Sequence, residues 1–456
     1  MTHAAARVLI VGAVAAGSKA AATARRRDPT LEVVVLQDEA DIAYSACGLP
    51  YHLADPTAIP RHRLVARTPE RFRADGIDLR TRQWVETLDL GARSVTAIDL
   101  ETGRTYVEPY DRLLLATGAE PIRPELPAGS GAPPVITLRS LTDLDRAAPY
   151  VAGARNVVIA GCGYVGLEAI ETFRRLGAAV TVVERMPRML PAFDEDLAAL
   201  VLAELGREGV DVVLGEGLAA LGDGEVVLEA GRHIRADLVV SAVGVRPNTR
   251  LARDAGLALG AMGAIVVDDR METAVPRVFA AGDCAETTHR LTGARTWLPL
   301  GDVANRQGRV AGENLAGGDR RFPGVLGTAI FRVFSLTVAR TGLTADDARR
   351  AGFDPVSCRI DAPSRARYMP GSVPVGIGLV ADRQTGRVLG ATIVGTDGAD
   401  KAVDTIAAAI WGSLTLDDLA DIDLAYAPPF SPVFAPVQVA AEVLRGSLLG
   451  EGSQGV

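Results

Sequence analysis

Cysteine is scarce in this chain of 456 residues: four are present, at positions 47, 162, 284 and 358, too scattered for a disulfide framework or for metal-ligand spacing. Thiols used this sparingly suit a reducing compartment, and cytoplasmic is the location the sequence favours. Long apolar runs are lacking too. The best of them, residues 8–17, is too short to cross a bilayer and is broken by glycines. It does not read as a secretion signal, because "MTHAAAR" leads straight into the strand-like "VLIVGA" with no processing pattern behind it. Positive charge is not in excess: the formal charge of -8 removes the long-range field that a nucleic acid or an anionic membrane would need. No nucleic acid and no membrane is expected as a partner. What is there, 48% hydrophobic and 23% charged residues over a length too great for one ordinary core, describes a globular chain of several domains.

One pattern occurs twice. "ARVLIVGAVAAGSKAAATARR" reads as a buried strand, a glycine loop and an alanine-rich helix, with "LEVVVLQD" as the next strand. "NVVIAGCGYVGLEAIETFRRLG" followed by "AAVTVVER" repeats that order near residue 160. Two such units predict doubly wound nucleotide-binding layers with parallel sheets. The proline- and glycine-rich "EPIRPELPAGSGAPP" between them reads as a crossover, and "VVSAVGVRPNT" and "RVFAAGDCAE" read as strands ending in glycine turns. Beyond about residue 325 the character changes: "VPVGIGLVADRQTGRVLGATIVG" predicts two strands around a Gln384-Thr385-Gly386 turn, and "ADKAVDTIAAAIWGSL" a helix. The expected fold class is α/β, with two Rossmann-like doubly wound domains and a separate C-terminal α+β domain. Residues 1–121 and 245–325 are expected to form the first, 122–244 the second and 326–450 the third, and the final "EGSQGV" reads as a frayed tail.

The second loop, Gly161-Cys162-Gly163-Tyr164-Val165-Gly166, carries every glycine of a dinucleotide fingerprint between a strand and a helix. Glycine permits the tight turn and the close approach to a pyrophosphate, while the helix N-terminus offers unpaired N–H donors. Glu184 ends the next strand, where a carboxylate binds a ribose 2′-hydroxyl and repels a 2′-phosphate; this favours NADH, a preference that Arg185 and Arg188 soften. The first loop, with Gly12, Val14, Ala15 and Gly17, lacks the middle glycine, and Gln37 with Asp38 stands where the ribose acid belongs. Taken alone it reads either as a second nucleotide site or as a plain strand-to-helix turn. Two sites in one chain suggest electron transfer between two bound cofactors.

At this point the chain resembles the flavoprotein disulfide reductase superfamily, and within it the single-cysteine branch of coenzyme A-disulfide reductases, persulfide reductases and NADH oxidases. The marks are "GAVAAG", "YSACGLPY", "LLLATGAEP", "GCGYVGLE", "AVGVRPN", "VFAAGDCAE", "ANRQGRVAGENL" and "DIDLAYAPPFSP", in the family's order and spanning nearly the whole chain. The resemblance implies FAD at the first site and NADH or NADPH at the second. Gly12, Gly17, Thr117, Gly118, Gly282 and Asp283 match positions that line FAD, Asp283 being expected at the ribitol; Gly244 falls in a matching motif, and Glu168 matches a glutamate near nicotinamide and flavin. Valine is common in this branch where Val14 stands. Gln37 departs from the usual glutamate, so its amide would meet a ribose without charge assistance. The third domain is implied to be a dimerisation domain, and the protein a homodimer.

Most of that superfamily uses a pair of cysteines with four residues between them, yet the positions flanking Cys47 at that spacing hold Ile42 and His52. A lone cysteine is ordinarily a small buried hydrophobe. In this motif the resemblance implies a reactive thiol instead, with Gly48 and Pro50 starting a helix whose amides would favour the thiolate. Electrons would pass from NADH through FAD to an oxidised Cys47, and an external small disulfide or persulfide, coenzyme A-linked in the nearest branch, would supply the second sulfur. Ala15 stands where peroxidases and many oxidases carry histidine, which favours a sulfur substrate over peroxide. Tyr426 and Tyr368 match tyrosines that approach the cysteine from a partner subunit and would protonate the leaving thiolate, unless they simply pack at an interface; Phe430 replaces a frequent second tyrosine. Lys19, Thr23 and Arg26 recur at helical spacing, either as a basic face for a nucleotide-bearing thiol or as a solvated surface. Cys162, Cys284 and Cys358 read as structural, and His52 is given no role. No sulfurtransferase module is expected, so a persulfide would arrive from outside. The rival readings are an NADH oxidase cycling Cys47 through a sulfenic acid, and an electron-transfer flavoprotein with a protein partner.

Overall fold

The computed structural model describes residues 6–449, and "EGSQGV" lies outside them. Packing divides the chain into two compact units: one holds residues up to 125 with 135–153 and 241–325, the other 126–134, 154–240 and the residues from 326 on. No helix among the described residues is long and apolar enough to cross a membrane.

The first unit is built on a parallel sheet in the order Val278–Ala280, Arg112–Leu115, Arg7–Val11, Glu32–Leu36, Asp78–Arg80. In the central strand Leu9 lies between Val34 and Leu113, and Val8, Leu9 and Ile10 are fully buried. Such a strand is covered on both faces, which is why "VLIV" is apolar without alternation. The chain leaves Arg7–Val11 first toward one edge and later toward the other, so a crevice opens at its C-terminal end, where the first glycine loop lies.

Helix Ala16–Arg27, which follows that loop, packs against helix Gly301–Leu315 at backbone distance. A Cβ on Gly308 would fall 2.3 Å from the Ala16 carbonyl oxygen, and one on Gly312 2.5 Å from that of Ala20. The two glycines are spaced by one helical turn and meet the small residues of the opposite helix.

The second unit begins with another largely parallel sheet, in which Val210–Leu214, Ala179–Glu184, Asn156–Ala160 and Leu238–Ser241 lie side by side. Its C-terminal part is an antiparallel sheet in the order Ala329–Val333, Leu336–Gly342, Val388–Gly395, Pro374–Asp382, Pro355–Pro363. The expected hairpin and helix are both present, as Pro374–Asp382, Val388–Gly395 and Ala399–Trp411. Every residue of Val388–Gly395 is buried.

The C-terminal sheet is not isolated from the nucleotide-binding half. In "VGIGLV", a Cβ on Gly376 would fall 2.8 Å from Leu197 Cδ2 and one on Gly378 1.8 Å from Asp194 Oδ2, so these glycines admit helix Glu195–Arg207 and its leading residue. Glu204, 1% exposed, accepts from the Ser335 N–H at 3.0 Å. Phe331 lies 4.9 Å from the ring of Tyr164 and 6.4 Å from that of Phe193. Through these contacts the C-terminal segment packs against the second nucleotide-binding layer within the same compact unit.

Gly308→Ala is expected to force the two first-unit helices apart and cost about 1–3 kcal/mol, the usual range for overpacking. Urea unfolding should show a lower midpoint with an unchanged slope.

Candidate functional site

The two glycine loops are built alike. Gly12 and Gly161 end their strands with φ +98° and +96°, a conformation L-residues avoid. Their N–H groups donate across to the second strand, Gly12 to Leu36 and Gly161 to Val183, each at 2.8 Å. The next amide also reaches that strand: Ala13 N–H donates to Gln37 Oε1 at 2.7 Å, and Cys162 N–H to Glu184 Oε2 at 2.8 Å. Helices Ala16–Arg27 and Tyr164–Arg175 then start with neither a capping side chain nor an acid in the first turn. Their N-termini therefore suit an anion.

The middle positions differ. A Cβ on Gly163 would meet no protein atom within 4 Å, so the fold itself does not demand glycine there; a close-lying ligand would. Val14, in the equivalent place, packs into an apolar cluster with Tyr44, Leu49, Leu64, Leu141 and Leu144. Ala15 packs on the first unit's core, and Gly17 is required by helix–loop contact, since its Cβ would lie 1.8 Å from the Gly12 carbonyl. Val165 is exposed at the start of its helix, while Gly166 is buried. Glu168 is half-buried one turn farther along.

Gln37 is 4% exposed, and its Nε2 donates to Asp38 Oδ1 at 3.0 Å. Its amide thus shapes the loop before it could serve a ribose. Glu184 accepts a second bond, from Met186 N–H at 2.8 Å, and Arg185 turns to Glu229.

Residues expected around FAD meet in the first unit. Gly118 (φ +70°) and Gly282 (φ +84°) turn at neighbouring strand ends, Thr117 Oγ1 donates to the Asn248 carbonyl at 2.6 Å, and Gly244 (φ +112°) accepts from Ile122 N–H at 3.0 Å. Asp283 gives the test of fit. Its Oδ2 accepts from Arg139 at 2.7 Å, whereas Oδ1 is buried without a hydrogen-bond partner. A buried carboxylate oxygen left in that state calls for a donor, and a flavin ribitol hydroxyl has one. The residues present fit FAD. Sequence reasoning missed Arg139, which also donates to the Ala119 carbonyl at 3.1 Å, and Gln307, which accepts from Gly282 N–H at 2.8 Å. Arg139 belongs to no quoted motif, and Gln307 lies within "ANRQGRVAGENL", a stretch that carried the resemblance without marking the bond to Gly282.

Cys47 is exposed, in the short turn Ala46–Gly48 that precedes helix Leu49–Ala54, with Pro50 in the first turn of the helix. The segment is tied to the first glycine loop, since Ala43 N–H donates to the Ala13 carbonyl at 2.8 Å. It is also clamped by helix Leu141–Val151 through the apolar cluster and through Arg61, which pairs with Asp41 at 2.7 Å and Asp145 at 3.0 Å. Ile42 is fully buried, and His52 Nδ1 lies 2.7 Å from the Ile59 carbonyl, which fixes that nitrogen as the donor.

None of the four cysteines forms a disulfide. Burial pushes the Cys162 thiol up to about 12, with Glu184 adding to the shift, and the Cys358 thiol up to about 11. Cys284, fully buried, is raised in the same direction. Three thiols are silent by desolvation.

In the second unit, Ala366 N–H donates to the Pro428 carbonyl at 3.2 Å, joining the segment of Tyr368 to that of Tyr426. Tyr368 is 74%, Tyr426 51% and Phe430 75% exposed. On helix Ala16–Arg27, Arg26 is exposed and Lys19 half-exposed, but Thr23 is 7% exposed and a Cβ on Gly312 would lie 2.8 Å from its own Cβ. Thr23 is packing between helices, and the basic face reduces to Lys19 and Arg26.

A chain with two dinucleotide loops and one exposed thiol tied to the first is an NAD(P)H-dependent flavin oxidoreductase. Residues 6–308 match the model of the pyridine nucleotide-disulphide oxidoreductase family and residues 328–437 that of its dimerisation domain, and the chain belongs to this family. Family membership implies FAD and NAD(P)H. It is 37% identical over 448 residues to the NAD(P)H coenzyme A polysulfide/persulfide reductase of Pyrococcus horikoshii, covering 96% of this chain and 98% of that one. To the NADH oxidase of Methanocaldococcus jannaschii it is 35% identical over 444 residues, covering 96% and 98%. The crystal structure of reduced Bacillus anthracis CoADR-RHD superposes with a TM-score of 0.94 at 35% identity, over 98% of this chain and 81% of that chain.

Thiol-specific reagent at about pH 8 is expected to label one site per native chain rapidly, and Cys47→Ser to abolish that phase, because the raised pKa values keep the other thiols protonated. Gly163→Ala should raise KM for the nicotinamide nucleotide roughly tenfold, a loss of about 1.4 kcal/mol. Its Tm should move by less than about 2 °C, since the added methyl meets no protein atom.

Proposed function

We propose that the protein is a homodimeric, NADH-dependent reductase of a low-molecular-weight disulfide or persulfide, coenzyme A-linked, acting through Cys47. The observation that carries this reading is that Cys47 is exposed on a segment bonded to the flavin-side loop while Ile42 and His52 occupy the places of a second redox cysteine. A thiol so placed has no internal sulfur to pair with, so the second sulfur must come from the substrate. Cys47 thiolate attacks one sulfur of the external disulfide, the S–S bond breaks, and one thiolate leaves as a mixed disulfide forms on Cys47. FAD, when bound, supplies a two-electron relay from the nicotinamide to that mixed disulfide. Its reduction releases the second thiol and returns Cys47 to the thiolate.

Residues 1–121 with 245–325 serve FAD in this reading, 122–244 the nicotinamide nucleotide, and 326–450 dimerisation. Glu184, at the end of its strand, supports NADH over NADPH. The exposed Tyr368, Tyr426 and Phe430 support a role at the face of a second copy, where a phenol donates a proton to the departing thiolate. Lys19 and Arg26 supply positive charge for the phosphates of a nucleotide-bearing thiol. The absence of disulfides among the four cysteines supports a cytoplasmic setting.

The test is anaerobic NADH oxidation by the purified flavoprotein with and without coenzyme A disulfide. Turnover should need the disulfide and should fall at least about a thousandfold in Cys47→Ser, with flavin retained. Disulfide turnover that survives the substitution would defeat the thiol mechanism. Turnover that appears only when air is admitted would assign the chain to oxygen reduction.

A further inference from the structure

The residue after Glu184 is an arginine, and the fold does not leave it loose. The Arg185 side chain is 77% exposed yet donates to Glu229, in the turn between strands Glu225–Leu228 and His233–Arg235. Glu229 is itself pinned at both ends. Its carboxylate accepts from Gly217 N–H at 3.2 Å, and its own N–H donates to the Gly217 carbonyl at 3.0 Å. Two further carboxylates belong to the same neighbourhood. Glu184 accepts from the Cys162 and Met186 amides. Glu216, whose N–H donates to the Glu184 carbonyl at 3.3 Å, holds a buried Oε2 with no hydrogen-bond partner. Arg188 is engaged elsewhere, donating to the Pro191 carbonyl at 2.7 Å.

We propose that Glu229 sets the choice between NADH and NADPH by holding the Arg185 guanidinium away from the adenosine ribose, so that a 2′-phosphate finds carboxylates there and no cation. The proposal rests on the reading of Glu184 as the ribose ligand. A guanidinium is the side chain best suited to a phosphate, because its fork pairs with two oxygens at once. Joined to Glu229, its charge is cancelled and its fork is directed at the wrong partner. An exposed ion pair of this kind is weak, so one substitution is enough to release it. Glu229 is a positioning residue: it acts on the nucleotide only through Arg185.

The test compares flavin reduction by NADH and by NADPH, measured anaerobically by stopped flow on the FAD-loaded enzyme so that no disulfide substrate enters. Glu229→Gln should raise the NADPH/NADH ratio of the flavin-reduction rate constant over Kd by about 1.5-fold to fivefold, the scale of one exposed charge contact, with the gain in Kd rather than in the limiting rate of reduction. In Glu229→Gln/Arg185→Met the gain should vanish, and a gain that persists there would overturn the proposal. Glu184→Gln separates it from the reading beneath it. A changed nucleotide preference in Glu184→Gln with none in Glu229→Gln overturns the proposal alone, whereas no response in either variant overturns the ribose assignment along with it. Flavin content and Tm, measured on each variant, confirm that it is folded.

Discussion

The structure depends most on the backbone turn at the end of two central strands. There the chain must adopt a positive φ at Gly12 and Gly161, at a cost of about 1–2 kcal/mol for any other L-residue. The turn lets successive amides bond back to the second strand and sends the chain into a helix whose first N–H groups have no internal partner. In the first unit it does more, because the Ala13 carbonyl beyond Gly12 also anchors the segment that bears Cys47. Nucleotide cradle and thiol are thereby positioned by one piece of backbone.

The two loops share a geometry but not an electrostatic character. Gln37 and Glu184 make the same bond to the second amide of their loops, one through a neutral oxygen and one through a charged one. A carboxylate both accepts from a ribose hydroxyl and repels a phosphate; an amide does only the first. The charged partner thus lies in the second unit, where Arg185 and Glu229 stand beside it.

Burial divides the cysteines by exposure. A thiol buried by its surroundings is a small hydrophobe whose ionisation desolvation opposes, and Cys162 in its glycine loop, Cys284 in the turn after its strand and Cys358 in a strand are of this kind. Cys47 escapes because the segment that holds it is fastened from beneath, through Leu49 and the Arg61 ion pairs, and leaves the residue itself outside. The packing of the C-terminal sheet on the nucleotide-binding helices has a similarly local cause, the two strand glycines that let helix Glu195–Arg207 approach.

Much of this was legible in the sequence. Strand, loop and helix of each nucleotide layer are local patterns of apolar period and glycine spacing, and the C-terminal hairpin is announced by its turn; all are decided by neighbours along the chain. The isolation of Cys47 from a second cysteine is equally a matter of counting positions. Tertiary structure alone decided what distant segments do to one another. Arg139 completes the surroundings of Asp283 from 144 positions away, Gln307 holds the loop of Gly282, Thr23 is buried by Gly312, and Glu229 restrains Arg185. Hydrogen bonds and ion pairs of this kind have no period and no fixed spacing. They exist only when folding brings the two partners within about 3 Å of each other, and the chain carries no local mark of that meeting.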